Sequence, residues 1–240
     1  MPDQRRARAL KRMDEITGYY AKQPGVIAVA AFGSNAERER FDAYSDLDFL
    51  VICEAPEKQR LLDQVERLET LCPVDGLLIF CKDAVNLLFS DGVLCDFGIV
   101  TPDLLPSFPH GAGRILWARS GEEPPDVSAV EPEREPERAL ADAALFSLYV
   151  GCLRERRGEK AAAFYEIQVR AAQKVLALIQ GEDADAFSPF RHAEWSVPQE
   201  SIARMTPGYG RSLEAAAYML KQLKPQEKTP LYRAVFSLLD

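Results

Sequence analysis

The chain has 240 residues, 47% hydrophobic and 28% charged, with a formal net charge of −8. That length buries enough apolar surface for one large domain or two small ones, and the composition excludes wholesale disorder. The charge is shared evenly between the two halves, so no basic surface is concentrated for nucleic acid, and no apolar run approaches the ~18 residues of a membrane span. Five cysteines (Cys53, Cys72, Cys81, Cys95, Cys152) show no CxxC spacing and read as reduced thiols rather than a disulfide frame or zinc site. The charged N-terminus lacks the apolar stretch of a secretory signal, so a cytoplasmic location is expected.

Along the chain, Ala9, Met13, Ile16 and Tyr20 recur at three- and four-residue steps, which predicts an amphipathic helix over the first twenty residues. Pro24-Gly25 stops it. Val26 to Phe32 is apolar and β-branched, a buried strand broken by Gly33-Ser34. Leu47 to Cys53 reads as a second strand, about 56–71 as a helix, and Val74 to Cys81 as a third strand. Ser90-Asp91-Gly92 between two apolar runs, 86–89 and 93–100, predicts a hairpin.

Residues 121–138 hold four prolines, seven acids and almost nothing apolar, and are expected to be a linker. Beyond them the pattern is helical, at about 139–157, 159–180, 198–205, 209–223 and 228–239. The expected architecture is an α/β (α+β) N-terminal domain with a mixed sheet over 1–120, the linker over 121–138, and an all-α helical bundle over 139–240.

The chemistry concentrates in Phe32-Gly33-Ser34 and Tyr44-Ser45-Asp46-Leu47-Asp48-Phe49. Alternate residues of a strand share a face, so Asp46 and Asp48 point one way and Leu47, Phe49 and Val51 the other. Two carboxylates on one face of an apolar strand repel each other and lose hydration, which a hard divalent cation, Mg²⁺ above all, would relieve. The plain alternative is a strand edge where Asp46 caps a turn and Asp48 is solvated. Gly33 would let the backbone approach a ligand, and the following N–H groups could meet a phosphate, although most Gly-Ser pairs are ordinary turns. Asp96, in Leu94-Cys95-Asp96-Phe97-Gly98, is a third acid in an apolar run, and a neighbouring strand would bring it beside the other two.

Ala31-Phe32-Gly33-Ser34, then Ser45-Asp46-Leu47-Asp48, then Asp96 resembles the nucleotidyltransferase superfamily related to DNA polymerase beta. The small size, the Tyr-Ser-Asp-Leu-Asp form and the helical second half are similar to bacterial lincosamide and aminoglycoside adenylyltransferases. The resemblance covers residues 26–100; the remainder matches as a generic helical domain.

It implies a fold with a mixed sheet and a transferase moving AMP from ATP to a hydroxyl of a small molecule, an antibiotic among the candidates. Asp46, Asp48 and Asp96 would hold Mg²⁺, two ions in such sites, while Gly33, Ser34 and Ser45 would bind the nucleotide phosphates. The general base stays open between Asp96 and Glu166. Glu166, Arg170 and Lys174 are spaced i, i+4, i+8 and form one helical stripe, either facing the cleft with Lys174 on phosphate or solvated with ordinary ion pairs. The acceptor is expected between the two halves, where ligands commonly bind, and a homodimer completing that cleft is a further expectation. His192 with Trp195 is a weaker candidate lining. An antitoxin-type nucleotidyltransferase, or a degenerate binding module acting on a protein partner, is the alternative reading.

Overall fold

The computed structural model describes residues 2–80, 82–107, 109–223, 226 and 229–239. Cys81, the expected end of the third strand, and Lys228, at the expected start of the last helix, lie outside the described residues. The chain divides into two compact units, Met1–Pro132 and Glu133–Asp240.

In the first unit, α1 (Pro2–Tyr20) leads into β1 (Val26–Ala31), the one-turn helix α2 (Gly33–Ala36) and β2 (Leu47–Cys53). A short helix α3 (Lys58–Asp63), flanked by 3₁₀ turns, replaces the long helix expected over 56–71. Then follow β3 (Val74–Phe80), β4 (Ala84–Phe89), β5 (Leu94–Val100) and β6 (Arg114–Ala118). The strands form one sheet in the order β3-β4-β5-β2-β1-β6. β2 and β5 run parallel and the other pairs antiparallel, giving the mixed sheet expected from the sequence.

The two faces of this sheet carry different chemistry. One is covered by α1 and α3: Met13, Ile16, Tyr20, Leu61 and Leu62 share a core with Phe49, Val51, Phe97 and Ile99. Phe49 and Phe97, partners across β2 and β5, stack at 4.6 Å with 7° between their planes. A stacked pair adds about 0.5–1.5 kcal/mol beyond its buried area, on the face opposite the acids that the same two strands carry. Buried Arg12 of α1 locks the hairpin to this side, 2.8 Å from Asp91 Oδ2 and 4.6 Å above the Phe89 ring. The opposite face has a smaller core of Ala28, Ala30, Phe32, Ile52, Val100 and Leu105.

Two features differ from the sequence expectation. β6 pairs antiparallel with β1 and adds an edge strand where none was expected. Residues 121–132 form no free linker: Gly113 N–H donates to Val127 O, His110 and Val130 exchange two backbone hydrogen bonds, and Val127 packs on the smaller core. The acidic composition is compatible with this because backbone groups, not side chains, make most of the attachment.

The second unit is helical, as expected: α4 (Glu137–Arg156), α5 (Lys160–Phe164), α6 (Ala172–Gln180), α7 (Ala193–Ser196), α8 (Gln199–Met205), α9 (Ser212–Gln222) and α10 (Pro230–Ser237). Leu145, Leu148, Ile167, Val175, Met219 and Val235 anchor its core. The single helix expected over 159–180 is interrupted by a π-helical stretch, Tyr165–Ala171. Within it the buried Gln168 grips Gly208, donating to its carbonyl and accepting from its N–H, both at 2.8 Å. Among the described residues, no helix is long and apolar enough to cross a membrane.

Candidate active site

Asp48 of β2 and Asp96 of β5 are Cα partners in the parallel register, on the sheet face turned away from α1. Asn86 of β4 is the partner of Asp96 on the other side and hydrogen-bonds its carboxyl. The three side chains make one row, Asn86–Asp96–Asp48, across three adjacent strands. Burial pushes the Asp96 carboxyl above its ordinary range and the charge of Asp46 adds to this, while the Asn86 hydrogen bond opposes both.

The turn after β1 closes against this row. Gly33 sits at φ +54°, and a Cβ built there would lie 2.6 Å from Asp48 Oδ2. Only glycine leaves both the backbone conformation and the space beside that oxygen. Phe32 N–H donates to Asp48 O at 2.9 Å, and buried Asn35 reaches the same carbonyl and Met13 Sδ. Ser34 is half-buried in α2. Arg114 of β6 clamps the turn from outside, donating to Asn35 O at 3.0 Å and Ala36 O at 3.1 Å.

Asp46 is half-buried immediately before β2, not on the strand as the alternation argument assumed. Ser45 is engaged in its own loop: its Oγ donates to Asp42 Oδ1 and accepts from Asp42 N–H. The hydrogen bond from Tyr44 N–H, and after it the one from the Ser45 hydroxyl, hold the Asp42 carboxyl below its usual range.

The donor set is all carboxylate oxygen, which suits a hard divalent cation, and the space that a Gly33 Cβ would fill is left open beside Asp48 Oδ2. Among the described residues no three His, Cys, Asp or Glu side chains are gathered as an ion would require. What the fold assembles is the facing pair Asp48 and Asp96, with Asp46 acting on Asp96 through space.

A cavity of about 490 Å³ opens on the same row, lined by Asp48, Asp96 and Asp83 together with Phe32, Leu50, Val100, Leu104 and His110. His110 meets Phe32 edge-on at 5.1 Å. Sequence reasoning passed over Asn86, Asp83 and Arg114. Asn86 and Arg114 join the site through strand register with residues far away in sequence, which no local motif signals.

The helical candidates lie in the second unit. Glu166 pairs with Arg170 at 3.1 Å, and Lys174 with Glu135. His192, at φ +56°, stacks on the exposed Trp195 at 3.9 Å. Trp117 of β6 packs against the larger sheet core of the first unit.

No protein-family profile matches the chain, and no curated protein matches its sequence. Solved structures similar to it include nucleotidyltransferases. An aminoglycoside 6-adenyltransferase from Bacillus subtilis aligns over 96% of this chain and 91% of its own, at 11% identity and TM-score 0.34. A nucleotidyltransferase-like protein from Exiguobacterium sibiricum aligns over 90% and 74%, at 15% and 0.38. A CD-NTase from Bradyrhizobium diazoefficiens, solved in complex with GTP, aligns over 100% and 86%, at 15% and 0.35.

Proposed function

We propose that the chain is a Mg²⁺-dependent nucleotidyltransferase that moves AMP from ATP to a hydroxyl of a small molecule and releases pyrophosphate. One observation carries this reading: Asp48 faces Asp96 across parallel strands, beside a glycine turn held open against Asp48 Oδ2. In this reading Asp48 and Asp96 would hold the cation, with Asp46 drawn in alongside them once it binds, and the cation would neutralise triphosphate charge. Gly33 and Ser34 bring bare backbone to the β- and γ-phosphates, and Ser45 joins them in binding the nucleotide.

The acceptor oxygen forms its bond to the α-phosphorus as the bond to pyrophosphate breaks in line, and the hydroxyl proton passes to a carboxylate oxygen of Asp96. Its place opposite Asp48 in the parallel register supports that role, because it sets a carboxylate oxygen at the reacting centre. Most of the rate comes from positioning and charge, since the transfer needs no covalent help from the protein. Glu166 and Lys174, each ion-paired on the helical stripe, are assigned no step in this reading.

The test is calorimetric titration of ATP in Mg²⁺ and then in EDTA, followed by pyrophosphate release with lincosamide and aminoglycoside acceptors. Binding that needs Mg²⁺ and vanishes in the Asp46→Ala, Asp48→Ala double variant is the expected result. ATP bound equally well in EDTA, or by the double variant, sinks the assignment.

A further inference from the structure

The cavity on the acid row is apolar over most of its lining, with Asp48, Asp83, Asp96 and His110 as its polar groups. Phe32, Leu50, Val100 and Leu104 form apolar walls, and Ala84 with Gly98 makes a floor nearly free of side chain. At Gly98 the backbone is bare for a reason, since a Cβ there would lie 2.7 Å from Leu50 Cδ2. The volume of about 490 Å³ falls within the range of roughly 300–1,000 Å³ typical of small-molecule sites. Beyond Asn86 the same sheet face stays apolar and open, with Leu78 59% and Leu88 39% exposed.

Three carboxylates reach the cavity, and each is already committed. Asp83 is paired with Lys58. Asp96 accepts from Asn86, and together with Asp48 it is given to the cation by the reading above. None is left over to neutralise an ammonium group, and burying an unpaired cation among these walls would be costly.

Resting on the nucleotidyltransferase reading, we infer that this cavity receives the body of the acceptor. The acceptor is then an uncharged molecule whose reacting hydroxyl is attached to an apolar body, not a polycationic amino sugar. The hydroxyl lies at the Asp96 end, with the apolar body over Ala84 and Gly98.

The experiment uses the full chain, Mg²⁺ and the non-transferable analogue α,β-methylene-ATP. The neutral naphthalene fluorophore prodan is the binding probe, and kanamycin A and chloramphenicol are competitors. Prodan emission shifts to the blue on binding. Ala84→Leu, which fills the floor, weakens binding by about tenfold or more, the loss expected when a pocket is crowded by a few methylenes. Leu104→Gln, which places an amide in the wall, weakens it as well and covers the case in which Ala84→Leu fails to fold. Chloramphenicol competes and kanamycin A does not. Equal prodan binding by wild type and both variants, or displacement by kanamycin A, overturns the inference. The underlying reading fails separately, in the calorimetric titration without prodan, if ATP binding shows no dependence on Mg²⁺.

Discussion

The place where a Gly33 side chain would begin is 2.6 Å from Asp48 Oδ2. The turn and the carboxylate are thus fitted to each other, and a methyl group at 33 must either push the carboxylate aside or bend the turn. Gly33→Ala also forces alanine into a left-handed backbone at a cost of about 1–2 kcal/mol. The expected outcome is a melting point lowered by a few degrees and ATP binding weakened well beyond what that loss of stability explains. Calorimetry alongside thermal melting separates the two effects.

Asn86 acts through Asp96. Its amide holds one oxygen of a carboxylate that burial and Asp46 would otherwise leave protonated more readily. Partners of this kind behind a metal ligand change affinity or activity by about 10–100-fold. Asn86→Leu should lower Mg²⁺-ATP affinity within that range, and Asn86→Gln should restore part of it. An Asn86→Leu variant that titrates like wild type rules out the role.

Asp96→Asn should change the pH dependence of stability. The folded-state pKa of Asp96 lies above its unfolded value, so the folded chain binds this proton more tightly than the unfolded chain. That contribution is complete below the unfolded carboxylate pKa and is lost as pH rises through the folded one. At neutral pH the ionised Asp96 therefore costs stability, and the half-buried position limits the cost to a few tenths of a kcal/mol. The variant should melt slightly above wild type at pH 7 and match it near pH 3, while transferring no nucleotide. A variant that melts lower at pH 7 contradicts the burial argument.

Arg114 spans two carbonyls of the Gly33–Ala36 turn, a geometry that the single ammonium of lysine cannot reproduce. Arg114→Lys should cost about 1–2 kcal/mol, and amide hydrogen exchange should speed up at residues 34–37 before β1 is affected. Uniform exchange across the first unit would show that the clamp is global rather than local.

Asp96 and Glu166 make opposite predictions as bases. With Glu166 held by Arg170 on a helix face, Glu166→Gln should leave turnover within about twofold, whereas Asp96→Asn should abolish it. A large loss in Glu166→Gln would return the helical stripe to the site.

The strand before Gly33 and those carrying Asp48 and Asp96 were legible because each is a local pattern: an apolar run ended by glycine, an alternation, or a hairpin around Asp91-Gly92. The row they form was not. That Asp96 lies opposite Asp48 depends on a parallel register between β2 and β5, and Asn86 enters by an antiparallel one. β6 escaped notice because Arg114–Ala118 is five residues long and half-buried throughout, so it shows no two-residue alternation. The π-helical stretch has the composition of an ordinary helix, and the contact Gln168 makes from it is with a residue forty positions later.

The acidic strap held to His110 and Gly113 decides where this protein can be divided. An expression fragment ending at residue 120 would strip backbone partners from both and uncover the Phe32 side of the sheet. A fragment carried through to Pro132 keeps that edge sewn shut, so the first unit should be produced and assayed at the longer length, and a protease probing the intact chain should cut after the strap rather than before it.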